Sequence, residues 1–308
     1  MKVIGIGGGG CNTLNHLIKT KNIKAEFIAL NTEWRGLERS KAGQKLLLGP
    51  KLLNGFGAGG NPALGQKAAL ESAEALRDLC KGGDFICLLA GLGAGTGTGA
   101  APEVARIAQE TGAFVVTIVT LPFEHEGPIR QAQAVQGLEA IKNHSDVVLK
   151  FPNEKINRLC RQANLNLPVA FGLLDGHVSL LVRAFGDLFF EQQTVSADVE
   201  EWQAHLGPFK GLWFGTATVE GKDRFTQAID EVVRESLIEE VKFRRVNRLF
   251  FMVVCKGITL GEFNVLVGSV RDKAPQGCIL KVGLADDPAM KKDELRLSVW
   301  ATAASNKM

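Results

Sequence analysis

The chain has 308 residues, 45% of them hydrophobic and 22% charged, as in a soluble globular protein long enough for about two domains. Its formal net charge of +3 is too small to indicate a nucleic-acid partner. No apolar run approaches the roughly 20 residues of a membrane span, so we expect no transmembrane helix.

Cysteine and histidine usage indicates a reducing compartment and disfavours a zinc site. The six cysteines show no CxxC pair and no regular spacing, and the sequence starts with a strand pattern rather than a signal peptide. We therefore expect reduced thiols in a cytoplasmic protein. The five histidines are scattered, which argues against a zinc centre.

The first predicted element is a strand at residues 2–6, followed by the glycine-rich segment 7–12 and a helical pattern at residues 13–18. A glycine turn that opens a helix favours phosphate, because the first helical N–H groups have no partner within the helix. Asn12 would cap that helix. We expect Cys11 to fill a tight turn rather than to serve as a reactive thiol.

A second strand is predicted at residues 25–32 and a short third one at residues 45–48. The glycine-rich segment 54–62 then precedes a helical pattern over residues 63–80. This segment is a second candidate phosphate loop, although a flexible surface turn would have the same composition.

The third glycine-rich segment, residues 91–99, reads GLGAGTGTG and is the most informative stretch of the chain. It lies between a continuous apolar run at 84–90, typical of a strand buried on both faces, and a helical pattern at 100–108. Its glycines would let the backbone approach an anion, and the hydroxyls of Thr96 and Thr98 would add donors.

The three glycine-rich segments all fall within the first 100 residues, and each precedes a helical pattern. Ligands of open α/β sheets bind beyond the carboxyl ends of the strands, so we expect the segments to converge on one polyphosphate. Pro102 fits this arrangement only if it lies in the first turn of its helix, where its missing N–H is tolerated.

The rest of the chain continues the alternation of strands and helices, which predicts an α/β fold. Further strands are predicted at residues 113–120, 147–151, 211–219, 247–255, 278–284 and 294–302, and further helices at residues 131–143, 168–189, 223–240 and 260–273.

The string GAGTGTGAAPEVA closely resembles the tubulin signature loop in the form found in FtsZ, the bacterial division GTPase. Residues 27–33, 122–130 and 151–155 are similar to the family stretches FIAxNTD, PFxFEGxxR and IPNDK, with Glu33 where the family usually has Asp. The segment from residue 281 to residue 303 resembles the family as well. The resemblance therefore covers nearly the whole chain.

The resemblance implies a Rossmann-like parallel-sheet GTPase domain at residues 1–168, joined by a long central helix at 169–190 to a smaller mixed α/β domain at 191–308. It also implies GTP or GDP as the ligand, with Mg²⁺ held mostly by phosphates and water. The implied phosphate-side contacts are residues of the three glycine-rich segments: Gly8, Gly9, Gly10, Cys11, Asn12, Gly59, Gly60, Asn61, Gly95, Thr96 and Gly97.

Five residues further along the chain match other contacts of the family's nucleotide. Glu126 and Arg130 take the positions of ribose- and phosphate-side contacts, although their types alone would indicate solvated charges at a helix start. Asn153 takes the position of a guanine contact, and Phe171 that of the aromatic residue that stacks on guanine. Asp175 falls near the residue that reads the base edge, where a carboxylate accepts from both the ring N–H and the amino group of guanine. Core packing of Phe171 and a surface charge at Asp175 are the alternatives.

Family members carry two acidic residues after the central helix, in a loop that enters the nucleotide pocket of the next subunit. Aligned without gaps, Asp198 and Glu201 take these positions and would orient a water for attack on the terminal phosphate. The central helix carries the chain roughly 28 Å from Phe171, so we expect these carboxylates to act on a neighbour's nucleotide. A shifted alignment places Val195 at the first acidic position and would imply a crippled enzyme. A charged helix start is a further alternative.

The leading hypothesis is a GTP-hydrolysing protein that assembles head to tail with copies of itself into filaments, in cell division or membrane remodelling. A nucleotide-binding scaffold with little or no hydrolysis is the alternative. A dinucleotide-dependent oxidoreductase is disfavoured, because the sequence lacks a suitable GxGxxG and a paired acidic residue after the second strand. No C-terminal tail of the kind by which FtsZ recruits membrane adaptors is evident, which would fit either a shortened chain or a divergent FtsZ-like relative with a different attachment. We expect membrane contact only indirectly, through adaptors.

Overall fold

The computed structural model describes residues 1–20, 23–153, 167–190, 193–195, 212–239 and 241–303. The chain divides into two compact units, Met1–Val182 and Arg183–Met308. The domain limits inferred from the sequence, residues 168 and 190, stay a prediction.

The first unit is built on a parallel sheet with the order β3-β2-β1-β4-β5-β6. Its strands are β1 Lys2–Ile6, β2 Glu26–Asn31, β3 Gln44–Leu47, β4 Phe85–Gly91, β5 Phe114–Leu121 and β6 Val147–Pro152. The strand order reverses between β1 and β4, so a crevice is expected beyond the carboxyl ends of these two strands. The α/β fold class predicted from the sequence is confirmed.

The central strands β4 and β5 are buried along nearly all of their length, as in a parallel sheet covered by helices on both faces, and both are continuous apolar runs. The helices are α1 Gly7–Thr20, α2 Trp34–Glu38, α3 Pro50–Leu53, α4 Pro62–Glu71, α5 Ala73–Cys80, α6 Gly95–Glu110 and α7 Pro128–Lys142. The long helix α8, Leu167–Phe190, begins in the first unit and ends in the second. Within the described part of the chain, the structure contains no helix with the length and apolar character of a membrane span.

Two helices begin earlier than the sequence predicts. Helix α1 begins at Gly7 and α6 at Gly95, so the glycines form their first turns instead of separate loops. Asn12 therefore lies within α1 and does not cap it. Pro102 lies in the interior of α6, not in its first turn, and so leaves one hydrogen bond of the helix unmade.

Close packing explains why glycine occupies these helix ends despite its low helix propensity. A Cβ added to Gly10 would lie 2.1 Å from the carbonyl oxygen of Leu89, and one added to Gly97 would lie 2.2 Å from that of Gly91. Both helices thus begin against the backbone at the end of β4, where a side chain has no room.

Two predicted helices are shorter in the structure. The pattern over residues 63–80 forms two helices, α4 and α5, which are separated at Ser72. The Ser72 hydroxyl accepts a hydrogen bond from the Gly49 N–H at 3.0 Å. The pattern over residues 223–240 forms the helix Arg224–Arg234 and then the short strand Ile238–Glu239.

The second unit contains a mixed sheet with the order β7-β11-β10-β12-β8-β9. Its strands are β7 Gln193–Val195, β8 Leu212–Glu220, β9 Ile238–Glu239, β10 Arg248–Cys255, β11 Ile279–Asp286 and β12 Glu294–Thr302, and its helices are α9 Arg224–Arg234 and α10 Leu260–Lys273. Strands β10 and β11 are parallel, whereas the other neighbouring pairs are antiparallel. Trp300 packs in its core against Phe185, Phe214 and Phe250.

Candidate functional site

The N-termini of α1 and α6 lie side by side beyond the carboxyl ends of β1 and β4. A Cβ added to Gly7 would lie 3.0 Å from the Gly97 nitrogen, and one added to Gly9 would lie 3.3 Å from the Gly91 Cα. Gly8 and Gly9 are exposed. Among the described residues, no side chain caps the start of α6. Two helix ends with N–H groups that have no partner within the helix therefore meet at one place, as an anion site requires.

The second glycine-rich segment, residues 54–62, joins this pair of helix ends. A Cβ added to Gly95 would lie 2.8 Å from the Ala58 Cβ and 2.9 Å from the Asn61 nitrogen. Asn61 caps α4 by accepting a hydrogen bond from the Ala63 N–H at 2.9 Å. Gly59 and Gly60 both have positive φ angles, 56° and 76°. The structure thus brings together the three glycine-rich segments singled out in the sequence.

The two threonines of the third glycine segment differ in their surroundings. Thr96 is half-buried, and its hydroxyl lies 2.7 Å from that of Thr32, which follows β2. Thr98 is buried, and its hydroxyl accepts a hydrogen bond from the Gly93 N–H at 2.8 Å. Thr98 therefore shapes the turn, and Thr96 is the better placed of the two to meet a ligand.

Glu126 and Arg130 lie next to the same turn, at the start of α7. A Cβ added to Gly93 would lie 3.0 Å from the Arg130 carbonyl oxygen and 3.4 Å from its Cβ. The Glu126 carboxylate accepts hydrogen bonds from the Phe123 N–H at 2.8 Å and from Arg130 Nη1 at 2.5 Å. The Arg130 side chain is 54% exposed, so its guanidinium has donors to spare.

Asn153 follows β6 and carries a buried acceptor without a partner. The residue is 9% exposed, and its Oδ1 atom makes no hydrogen bond within the described part of the chain. Buried polar atoms are nearly always satisfied, so an orphaned acceptor at the carboxyl end of a strand is consistent with a ligand that donates to it.

Asp175, in α8, is held by α1. Its Oδ1 atom accepts a hydrogen bond from the Thr13 hydroxyl at 2.8 Å. Burial raises the pKa of Asp175, while the bond from Thr13 and the nearby charges of His16 and Lys19 act in the opposite direction. Phe171 lies one turn earlier in α8.

A small cleft lies between these elements, and its lining includes Gly9, Gly10 and Thr13 from α1, Thr120 from β5 and Val178 from α8. The cleft therefore reaches from the glycine-built start of α1 to the helix that carries Asp175. The candidate catalytic residues Asp198 and Glu201 lie outside the described residues.

Cys11 lies in α1 between Gly10 and Asn12, but its thiol is buried and directed into the protein. Its Sγ donates to the carbonyl oxygen of Gly5 at 3.5 Å, and burial raises the pKa of Cys11 to about 12. The thiol therefore stays protonated near neutral pH. Over the residues that the structure describes, no group of three or more His, Cys, Asp or Glu side chains forms a metal centre.

Sequence reasoning did not single out Thr13 or Thr32. Thr13 belongs to a helical pattern, and its partner Asp175 lies 162 residues away. No local signal pairs them. Thr32 belongs to a stretch recognised only for its family resemblance, and its contact with Thr96 also depends on the folded sheet.

A doubly wound parallel sheet with glycine-built helix ends at its switch point defines a Rossmann-like α/β protein of the phosphate-binding kind. The sequence profile described as "Tubulin/FtsZ family, GTPase domain" matches residues 1–161. The chain belongs to the Tubulin/FtsZ family, as its sequence motifs predicted.

Individual relatives agree with this assignment. The chain is 33% identical to the cell division protein FtsZ of Pseudomonas aeruginosa over 98% of its own length and 76% of that protein. It is also 33% identical to FtsZ of Coxiella burnetii, over 98% of its length and 78% of that protein. A solved structure of an empty FtsZ dimer from M. jannaschii is similar, with a TM-score of 0.81, 31% identity, and coverage of 98% of this chain and 87% of that chain.

Proposed function

We propose that the chain is a GTPase that binds GTP at the three glycine-rich segments and hydrolyses it between subunits of a head-to-tail filament. The observation that carries the proposal is the meeting of the α1 and α6 N-termini around Gly7 and Gly97. Phosphate oxygens are the natural ligands of such a place, since N–H donors and the positive ends of two helix dipoles are combined there. Arg130, exposed next to the glycine-rich turn, supplies a positive charge for the phosphates.

The donor set also fits Mg²⁺ held by the nucleotide. The described residues around the glycines contribute N–H groups and the Thr96 and Thr32 hydroxyls, with the Glu126 carboxylate occupied by Arg130. A hydrated Mg²⁺ bound chiefly through phosphate oxygens suits these surroundings and would neutralise phosphate charge.

Guanine is the base that the site favours. The orphaned Oδ1 of Asn153 and the carboxylate of Asp175 are acceptors, and guanine carries a ring N–H and an amino group on adjacent atoms. Adenine has an acceptor nitrogen where guanine has its ring N–H. This acceptor could not form a hydrogen bond with the carboxylate. A site of this kind discriminates by several orders of magnitude.

Hydrolysis and assembly rest on the resemblance of Asp198 and Glu201 to the family's paired acidic residues. Two carboxylates brought against a neighbour's terminal phosphate would orient the attacking water. An interface that joins the pocket of one subunit to the acidic loop of the next is heterologous. Heterologous contacts generate linear polymers when they do not close into a ring. The relatives are named cell division proteins, and we propose the same process for this chain. We place the protein in the cytoplasm, with membrane contact only through adaptors.

Calorimetric titration with GTP and with ATP tests the binding site, followed by phosphate release and sedimentation with GTP and with GDP. We expect binding of GTP in strong preference to ATP, phosphate release, and sedimentable polymers with GTP. Comparable affinities for the two nucleotides would contradict the guanine assignment. Polymers with no phosphate release would identify a nucleotide-binding scaffold, and a monomer at every concentration with GTP would contradict filament assembly.

A further inference from the structure

We propose that Thr13 is a positioning residue for base recognition: its hydroxyl fixes the Asp175 carboxylate so that the free lone pairs meet the donors of guanine. The inference rests on the proposed GTP site and names a residue that sets its specificity. Thr13 lies in α1, the helix whose first turn lies at the phosphate side, and Asp175 lies in α8.

The hydrogen bond between the two residues is well formed and sheltered. The Thr13 hydroxyl donates to Asp175 Oδ1 at 2.8 Å, and Thr13 is only 7% exposed. A threonine is stiff about its first side-chain bond, so the hydroxyl is held in one direction by the branched carbon as well as by packing. Thr13 also lines the cleft that begins at Gly9 and Gly10. One helix thus carries the phosphate-side glycines and the group that holds the base-side carboxylate.

The hydrogen bond from Thr13 orders the lone pairs of the Asp175 carboxylate. An ionised carboxylate offers about four acceptor positions, and Thr13 occupies one of those on Oδ1. As far as the described residues are concerned, both positions on Oδ2 and one on Oδ1 stay available for the ring N–H and the amino group of guanine. Without the Thr13 hydroxyl the carboxylate would turn more freely and would have to be ordered when the ligand binds, which weakens binding.

The bond also lowers the pKa of Asp175 and so opposes its protonation. Burial favours the neutral carboxyl, and the opposing groups are the Thr13 hydroxyl and the charges of His16 and Lys19, all on α1. A protonated Asp175 would present a donor to the donors of guanine and would lose the preference. Removing the hydroxyl raises the pKa of Asp175 further, so loss of GTP binding on acidification should begin at a higher pH.

The test compares Thr13→Val, Thr13→Ser and the control Thr20→Val. Valine keeps the shape of threonine without the hydroxyl, and serine restores the hydroxyl. Thr20 is a matched control, because its hydroxyl also faces α8, at 3.5 Å from that of Ser179, one turn beyond Asp175. Calorimetric titration with GTP and ATP over roughly pH 5 to 8 gives the affinity ratio and its pH dependence.

We expect Thr13→Val to lower the affinity for GTP roughly tenfold or more with little effect on ATP, and to shift the acidic loss of GTP binding to higher pH. Thr13→Ser should recover most of the parental ratio, and Thr20→Val should keep it. If Thr13→Val keeps the parental GTP/ATP affinity ratio and pH profile while the parent binds GTP, the role of Thr13 is overturned and the proposed GTP site is not. A parent that does not bind GTP would overturn the proposed function together with this inference. If Thr13→Val fails to fold, a parental GTP/ATP ratio and pH profile in the folded Thr13→Ala variant would overturn the inference.

Discussion

Gly97 lies so close to Gly91 that a Cβ on Gly97 would sit 2.2 Å from the Gly91 carbonyl oxygen. This contact fixes the start of α6 against the end of β4. We predict that Gly97→Ala destabilises the first unit by about 1–3 kcal/mol, because backbone must shift to make room for the methyl group. Chemical denaturation, followed by circular dichroism, measures the change.

Gly268→Ala is the control for this substitution. Gly268 also lies in a helix, α10, but a Cβ there would meet no described atom within 4 Å. Alanine is the better helix former, so the control should be neutral or more stable by up to about 1 kcal/mol. Equal stability of the two variants would mean that the Gly97–Gly91 contact does not constrain the helix.

The strands and helices could be read largely from the sequence, but the starts of α1 and α6 could not. The pattern at residues 294–302 matches β12, Glu294–Thr302, and the pattern at residues 260–273 matches α10, Leu260–Lys273. Both patterns are local, because they arise from side chains that are buried at regular intervals along one segment. The glycines at the starts of α1 and α6 are instead required by close contacts with backbone atoms of β4. No local sequence pattern indicates such contacts.

Arg130 is predicted to matter for ligand binding and hardly at all for stability. Its ion pair with Glu126 is at the surface, where such pairs contribute about 0–1 kcal/mol. Arg130→Ala should therefore keep the parental unfolding transition, but lower the affinity for GTP roughly tenfold or more by removing a charge-assisted bond to phosphate. Titration calorimetry and thermal unfolding together separate the two effects.

The matched control for Arg130 is Arg106→Ala. Arg106 also pairs with carboxylates of its own helix, Glu103 and Glu110. It lies roughly 16 Å along α6 from Gly95, at about 1.5 Å per residue, and so is remote from the glycines. Equal GTP affinities of the Arg106 and Arg130 variants would remove Arg130 from the proposed contacts.

The second unit contains a buried ion pair that should be energetically coupled. Arg296 donates to Asp187 through Nε at 2.7 Å and through Nη2 at 2.9 Å, and both side chains are nearly inaccessible. Removal of one partner leaves a buried charge, so Asp187→Leu and Arg296→Met should each cost about 3–5 kcal/mol.

The double variant Asp187→Leu with Arg296→Met should be much more stable than the sum of the single changes, since apolar pairs often replace buried ion pairs at little cost. Tryptophan fluorescence during denaturation, with Trp34 of the first unit replaced by Phe in every variant, follows the second unit, whose core contains Trp213 and Trp300. Additive losses in the cycle would contradict a coupled pair.

The candidate site divides between residues that the sequence identifies and contacts that only folding creates. The glycine-rich segments and the motif around Arg130 can be recognised in the sequence because their residues are contiguous. The contact of Thr13 with Asp175 joins two helices, and the orphaned acceptor of Asn153 reflects burial on all sides. Pro102 lies in the interior of α6 rather than in its first turn because the helix begins at Gly95, where the glycines pack against the end of β4.

The last prediction concerns catalysis between subunits. Asp198→Ala should bind GTP with the parental affinity and lose turnover, because the acidic loop supplies the group that orients water and not a nucleotide contact. Asn12→Asp should lose GTP binding, because Asn12 is exposed near the start of α1, where a new carboxylate would repel phosphate.

Mixing the two variants separates catalysis in trans from catalysis within one subunit. In a mixed filament the intact acidic loop of the Asn12→Asp subunit meets the intact pocket of the Asp198→Ala subunit, so phosphate release should return to part of the parental rate. Each variant alone, at the same total concentration, is the control. Parental turnover by Asp198→Ala that assembles normally would refute the catalytic assignment and favour the shifted alignment, in which Val195 takes the first acidic position. A mixture as inactive as its components, although it sediments with GTP, would place catalysis within one subunit, because the pocket and the loop would then have to be intact in the same chain.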